Sequence, residues 1–324
     1  MTKRRKSPQN TAQRCITFLG ATISRLLAME GTATRPKLHA RLLFAAAVLT
    51  GAQGDYGSAR QQLEESLDIC VQLNDTRGVA VALNALALNA RDRGDLAASS
   101  LLFERCIAIW KDLGDSADIA RALSNLANVT KMQGEYTRAS LLYEESRTMF
   151  RKAGDGTGVA WTLNYLSDVA REKADVGSAR SFCEQSLAAF RQLEDGWGTA
   201  TALSDLASLN CDQGNDAEAR RLYGESIKMF EELGHKRGIA RALESLALSA
   251  AAQSNAEQSL HLAGAAAALR QRLGAPLTPT EQAKLEKALE FARRTLGDAA
   301  GLKAWMEGWG MPVEQAVHEA LAGN

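Results

Sequence analysis

The tripeptide Gly54-Asp55-Tyr56 returns as Gly94-Asp95-Leu96 and Gly134-Glu135-Tyr136, and in weaker form as Ala174-Asp175-Val176 and Gly214-Asn215-Asp216. Each step is forty residues, without insertion or deletion, and a degenerate sixth copy stands at Ser254-Asn255-Ala256. A fixed period of this length restricts the chain to repeats that each form one supersecondary unit and bury their apolar faces on their neighbours.

Other positions keep the register. Leu43, Leu83, Leu123, Leu163, Leu203 and Leu243 form one column, and Leu86, Leu126, Leu166, Leu206 and Leu246 another. Leu83, Leu86, Ala87 and Ala90 stand at i, i+3, i+4 and i+7, one face of an α-helix. After the turn, Ala59, Ser99, Ala139, Ala179 and Ala219 are small. Four residues on stand Leu63, Phe103, Tyr143, Cys183 and Tyr223, and three further on Ser66, Cys106, Ser146, Ser186 and Ser226. This is a second helix whose small residues let the first approach while the larger one fills the gap. The turn glycine suits a left-handed helix end. The aspartates at 75, 115, 155 and 195 suit N-caps of the next first helix.

These residues resemble the tetratricopeptide repeat: Leu83, Leu86-Ala87, Gly94-Asp95, Ser99, Phe103 and Cys106 follow its pattern, and the likeness extends over about residues 38 to 273. The period is longer than the family's usual unit and the usual proline after the second helix is missing. Both fit longer helices, as in the extended variant of bacterial regulators and motor-protein light chains. The resemblance implies an all-α, right-handed superhelical solenoid of about six helix pairs with helical caps. The expected divisions are a basic tail and capping helix over 1–36, repeats over 37–274 and a C-terminal helical cap over 275–324. The Ala-rich run from Ala263 to Arg270, then Leu273-Gly274 and a charged helix, is similar to the end of large bacterial ATPase-type transcriptional regulators. The chain contains no GxxxxGK[ST] loop.

Composition limits the chemistry. Net charge is zero, with 38 basic and 38 acidic residues, so direct nucleic-acid binding is disfavoured. Five scattered cysteines (Cys15, Cys70, Cys106, Cys183, Cys211) without a CxxC pair suit reduced cytoplasmic thiols. No apolar run is long enough to span a membrane. Lys3 to Lys6 precede an apolar stretch that Arg25 interrupts; Ile16, Leu19, Ile23, Leu26 and Leu27 fall at helical spacing and suit an amphipathic cap better than a leader. The four histidines lack metal-ligand spacing. Carboxylate pairs such as Glu64-Glu65 and Glu144-Glu145 recur with the repeat, the mark of a solvated helix face. No nucleophile elbow is readable. A non-enzyme without cofactor or metal is therefore expected.

The binding surface expected of such a stack is its concave side, lined by first helices. Helical phase places Asn84, Ser124, Asn164, Ser204 and Glu244 there in one row, and Leu88, Asn128, Asp168, Ser208 and Leu248 in a second. A third holds Arg91, Lys131, Arg171 and Cys211, flanked by Val81, Arg121, Trp161, Thr201 and Arg241. Asn84, Asn128 and Asn164 could bond both peptide N–H and C=O, Lys131 and Arg171 a carboxylate, and Trp161 could anchor apolar contact or pack against Trp197. With Asp168 these residues make the candidate peptide site. The expected function is a scaffold or regulatory sensor that holds a protein or peptide. The alternative is the repeat part of a larger ATPase-type regulator that takes a small inducer.

Overall fold

The computed structural model describes residues 19–20, 22–23, 25–27, 29, 34–277 and 279–322. From Pro36 onward the described residues form fifteen helices and no strand. Cys15, Ile16 and the basic tail lie outside the described residues; of the expected N-terminal cap, 19–20, 22–23 and 25–27 are helical.

Two compact units divide at Ala153 and Gly154. The N-terminal unit holds α1 (Pro36–Ala52) with α2 (Tyr56–Gln72), α3 (Thr76–Asp92) with α4 (Leu96–Leu113), and α5 (Ser116–Met132) with α6 (Tyr136–Ala153). The C-terminal unit holds α7 (Gly156–Glu172) with α8 (Val176–Gln192), α9 (Gly196–Asp212) with α10 (Asp216–Glu232), and α11 (Lys236–Ala252) with α12 (Ala256–Leu273). Three further helices follow: α13 (Pro279–Leu296), α14 (Asp298–Gly310) and α15 (Val313–Ala322). The six pairs are those the forty-residue register predicts.

The small column binds as well as packs. Ser66, Ser146, Ser186 and Ser226 donate their hydroxyls to the carbonyls of Ala40, Ala120, Ala160 and Ala200 at 2.7–2.9 Å, always twenty-six residues back on the paired first helix. Cys106 does the same toward Ala80 at 3.3 Å. Each of these side chains is buried, so the polar atom enters the core with its partner supplied. Ser99 donates to Ala87 at 2.7 Å, and Ser167 makes the reciprocal bond to Ala179, also at 2.7 Å.

The turns cap both helices of a pair. Asp75, Asp115, Asp155 and Asp195 accept the amide three residues on at first helices, and Asp55, Asp95 and Asp175 do so at second helices. Those amide bonds hold the carboxyls of Asp55, Asp115 and Asp175 below the usual carboxylate range. At α11 the cap is His235, whose Nδ1 accepts from the Gly238 amide at 3.1 Å. The turn glycines 54, 94, 134 and 214 have positive φ, and Ala174 takes the same conformation at φ 58°.

In the C-terminal unit α14 crosses α12 where Gly264 and Gly308 meet. A Cβ on Gly308 would lie 2.0 Å from the His261 carbonyl oxygen, and one on Gly264 2.2 Å from that of Trp305. Trp305 and Trp309 contact each other with ring centres 4.9 Å apart, and Trp305 packs against the core. His261 Nδ1 lies 2.9 Å from Glu319 on α15, and its Nε2 3.4 Å from Glu307 on α14. The apolar side of α12 is thereby covered, and Leu262 is 1% exposed.

Candidate functional site

The expected groove residues fall in both units. In the N-terminal unit Asn84 lies half-buried on α3, and its Oδ1 accepts from Asn125 of α5 at 3.4 Å. Asn128 is committed at both ends of its amide: Nδ2 donates to the Ser124 carbonyl at 3.0 Å, and Oδ1 accepts the Tyr143 hydroxyl at 2.9 Å. Lys131 is half-buried in the last turn of α5.

In the C-terminal unit Trp161, Asn164, Asp168 and Arg171 all stand on α7. Asn164 is buried and donates from Nδ2 to Asp205 of α9 at 2.9 Å. Asp205 also receives Arg241 of α11, so a polar chain links the three first helices. Arg171 grips Asp212 of α9 with two nitrogens, at 2.5 and 3.1 Å, and both side chains are substantially exposed. Asp168 is half-buried. Farther along, Arg270 of α12 holds Glu244 of α11 with two nitrogens, the longer bond 2.8 Å.

On α9 the two positions expected to face a groove are instead buried. Ser204 and Ser208 on α9 are 3% and 8% exposed, and Ser208 shares a 2.7 Å bond with the Tyr223 hydroxyl. Their small size lets α7, α9 and α11 touch directly, which closes the space over these two positions. Burial pushes the Tyr223 hydroxyl up from its ordinary value.

Trp161 packs within its unit. Its ring stands edge-on to Phe190 at 4.8 Å and tilted against Trp197 at 4.5 Å. Trp197 in turn lies 5.8 Å from His235 and is 45% exposed. The result is an aromatic strip at the N-terminal ends of α9 and α11 with an open indole.

Asp205, Asp212 and Arg241 were not singled out as partners by helical phase. The signal that could have found the two acids is an offset of forty-one: Asn84 with Asn125, Asn164 with Asp205, and Arg171 with Asp212. One repeat plus one residue is the neighbouring first helix turned by one position.

The described cysteines 70, 106, 183 and 211 are free thiols. Burial pushes Cys106 up to about 11 and raises Cys70, Cys183 and Cys211 as well, so each is poorly activated. Among the described residues no group of histidine, cysteine and carboxylate side chains could hold a metal, and no helix is long and apolar enough to cross a membrane.

Several solved structures share the fold. A Rap protein complexed with Competence and Sporulation Factor aligns with TM-score 0.66 and 12% identity, over 87% of this chain and 77% of that one. The apo form of the quorum sensor NprR from B. thuringiensis aligns with TM-score 0.64 and 15% identity, over 96% and 84%. BtubC from P. vanneervenii aligns with TM-score 0.57 and 18% identity, over 71% and 93%. At these identities the likeness is one of fold. No curated protein sequence matches the chain. The family profile described as tetratricopeptide repeat matches residues 38–112, 78–152, 118–192 and 158–232. Each match begins forty residues after the last, in register with the helix pairs, and together they span more than half of the sequence: the chain belongs to the tetratricopeptide repeat family.

Proposed function

We propose that this protein is a non-catalytic binding module that holds a protein or peptide segment against the first helices of its repeats, as the scaffold or sensor part of a bacterial cytoplasmic regulator. The observation that carries the reading is the Trp161–Trp197 pair of the C-terminal unit. An indole left 45% exposed on a packed aromatic base is a preformed anchor, costly to leave in water and cheap to cover. The exposed Arg171–Asp212 pair on the same two helices supplies a cation and an anion for the polar part of a ligand. The Rap protein's complex with Competence and Sporulation Factor supports a factor bound by a fold of this kind. The zero net charge supports a protein partner over nucleic acid. In this reading residues 37–274 bind, and 1–36 and 275–324 cap the ends. The resemblance of the C-terminal segment to ATPase-type transcriptional regulators rests on sequence alone.

The test is calorimetric titration of a partner captured from the source cell, at low and high salt. Trp197→Ala should weaken binding roughly tenfold or more, independent of salt. Arg171→Ala should weaken it by a similar factor at low salt and less at high salt, because exposed charge attraction is screened. The second-helix variants Arg105→Ala and Arg221→Ala should bind as the parent does. If those two abolish binding and the first-helix variants do not, the partner sits on the opposite face and the reading is wrong.

A further inference from the structure

One column of the repeat does not keep its residue. Trp110, Phe150, Phe190 and Phe230 stand forty residues apart near the ends of second helices, each at most 6% exposed. In the C-terminal unit Phe190 lies between its own first helix and the next, against Trp161 of α7 and Gly198 of α9. In the first pair the position is Cys70. The first-helix residue of that column varies, reading Arg41, Val81, Arg121, Trp161, Thr201 and Arg241, so the fourth repeat alone adds a second ring there. In the C-terminal unit Trp161 and Phe190 occupy the space together, with ring centres 4.8 Å apart.

Where both rings are missing, the N-terminal unit has a cavity of about 400 Å³ between α1, α2 and α3. Its walls include Ala40, Phe44, Cys70, Val81 and Ala82. Ser66 also lines it, but its hydroxyl is already spent on the Ala40 carbonyl. The walls therefore offer apolar contact and little hydrogen bonding. Lys37, Arg41 and Asp75 also border it; the two cations are exposed, and the Asp75 carboxylate accepts the Gly78 amide at 2.9 Å as the cap of α3. Lys37 reaches Asp75 only at 3.9 Å, and Arg41 has no ion pair among the described residues. A cavity of this size lies in the range of small-ligand sites, which join apolar walls to a few polar groups that fix orientation.

We propose that this cavity binds an aromatic ring that carries a carboxylate. The ring takes the space that Trp161 and Phe190 fill in the C-terminal unit, and the carboxylate meets the Arg41 guanidinium with Lys37 beside it. The site is separate from the first-helix surface proposed above and does not depend on it. The ligand is either a free arylalkanoic acid or the C-terminal aromatic residue of a peptide; both present the same ring and charge.

The experiment is titration of the full chain with phenylpropionate, its neutral amide, and short peptides ending in phenylalanine with free or amidated C-termini, followed by calorimetry and ligand-detected NMR. Phenylpropionate or the free-acid peptide should saturate, and the tighter of the two identifies the source. The matching amide should bind at least about tenfold more weakly, and Arg41→Gln should cost the acid about tenfold. Cys70→Phe restores the ring of the sister repeats and should abolish binding without lowering the melting temperature. Arg41→Trp, which copies Trp161, is a second block should Cys70→Phe fold poorly. Saturation that survives both blocks, or equal affinity for acid and amide, overturns the proposal. So does the absence of saturable binding by any probe, as when another segment of the chain already occupies the cavity.

Discussion

Ser186 donates its hydroxyl to the carbonyl of Ala160 at 2.9 Å, from the second helix of a repeat to the first, with both residues fully buried. The bond fixes the height of α8 against α7, because a slide of one residue would separate donor and acceptor. The same column carries Ala266 in the sixth repeat, so the position demands small volume first and a donor second. Ser186→Ala should therefore cost about 1 kcal/mol, the net worth of one hydrogen bond. Ser186→Leu should cost about 1–3 kcal/mol or more through overpacking. Urea melts of the two variants give the order, and equal losses would contradict this account of the column.

His235 gives the fold an acid-sensitive cap. Its Nδ1 accepts from the Gly238 amide, which the protonated ring cannot do. Burial lowers the His235 pKa from the ordinary 6.5, and the positive charge of Arg237 adds to the shift. Phe230 and Trp197 face the ring and offer no carboxylate to offset it. A lowered folded pKa means that the unfolded chain binds the proton first as pH falls. The cap's contribution is thus complete above pH 6.5 and is lost as pH drops through the lowered folded value. His235→Asp, which matches the caps at 75, 115, 155 and 195, should remove that part of the acid sensitivity. Melting temperatures of parent and variant between about pH 8 and pH 5 should converge at the alkaline end and separate at the acid end. A constant difference across that range would exclude the cap as its source.

Ala174 occupies the turn position that glycine holds in four other repeats, and it does so at φ 58°. The left-handed conformation costs an L-residue about 1–2 kcal/mol, part of which glycine returns as unfolded-state entropy. Ala174→Gly should stabilise the protein by about 0.5–1 kcal/mol. Ala170→Gly, four residues back inside α7, should instead destabilise it by about 1 kcal/mol. The sign difference between neighbouring alanines is the measurement that decides.

The six helix pairs, the turns and the aspartate caps were legible because a forty-residue period repeats each signal several times. The degenerate last repeat was not. Its turn, Ser254-Asn255-Ala256, suggests a weak end of the stack, where Leu262→Ala would cost less than Leu166→Ala. In the structure α14 and α15 cover α12, and Leu262 is 1% exposed against 3% for Leu166. Both changes should therefore cost about 2–5 kcal/mol. The candidate site was legible in part. Helical phase placed Trp161, Asn164, Asp168 and Arg171 on one helix, but phase alone does not report how closely neighbouring first helices approach. That distance depends on Thr201, Ser204 and Ser208, whose small side chains allow contact and leave these α9 positions buried rather than facing a groove. His235 escaped because a cap is recognised in sequence by an oxygen acceptor, and here a ring nitrogen does the work.

The crossing of α14 over α12 yields the sharpest expectation. Gly308 meets the backbone of His261, and an added Cβ would sit 2.0 Å from its oxygen and 2.7 Å from its Cα. Backbone cannot swing aside as a side chain can, so Gly308→Ala must push the two helices apart. Overpacking in a core typically costs about 1–3 kcal/mol; with backbone as the obstacle the loss should reach the upper end or exceed it. Displacing α14 removes Trp305 from the core it packs against and leaves the apolar side of α12 uncovered, which favours association. Gly310 lies two residues on in the same helix, and a Cβ there would meet nothing within 4 Å. Gly310→Ala should be neutral or slightly stabilising. Denaturant melts, tryptophan emission and sedimentation of the two variants test the contrast. If Gly308→Ala melts as the parent does, with unchanged emission and no association, the contact of α14 with α12 is too loose to serve as the cover of the last repeat.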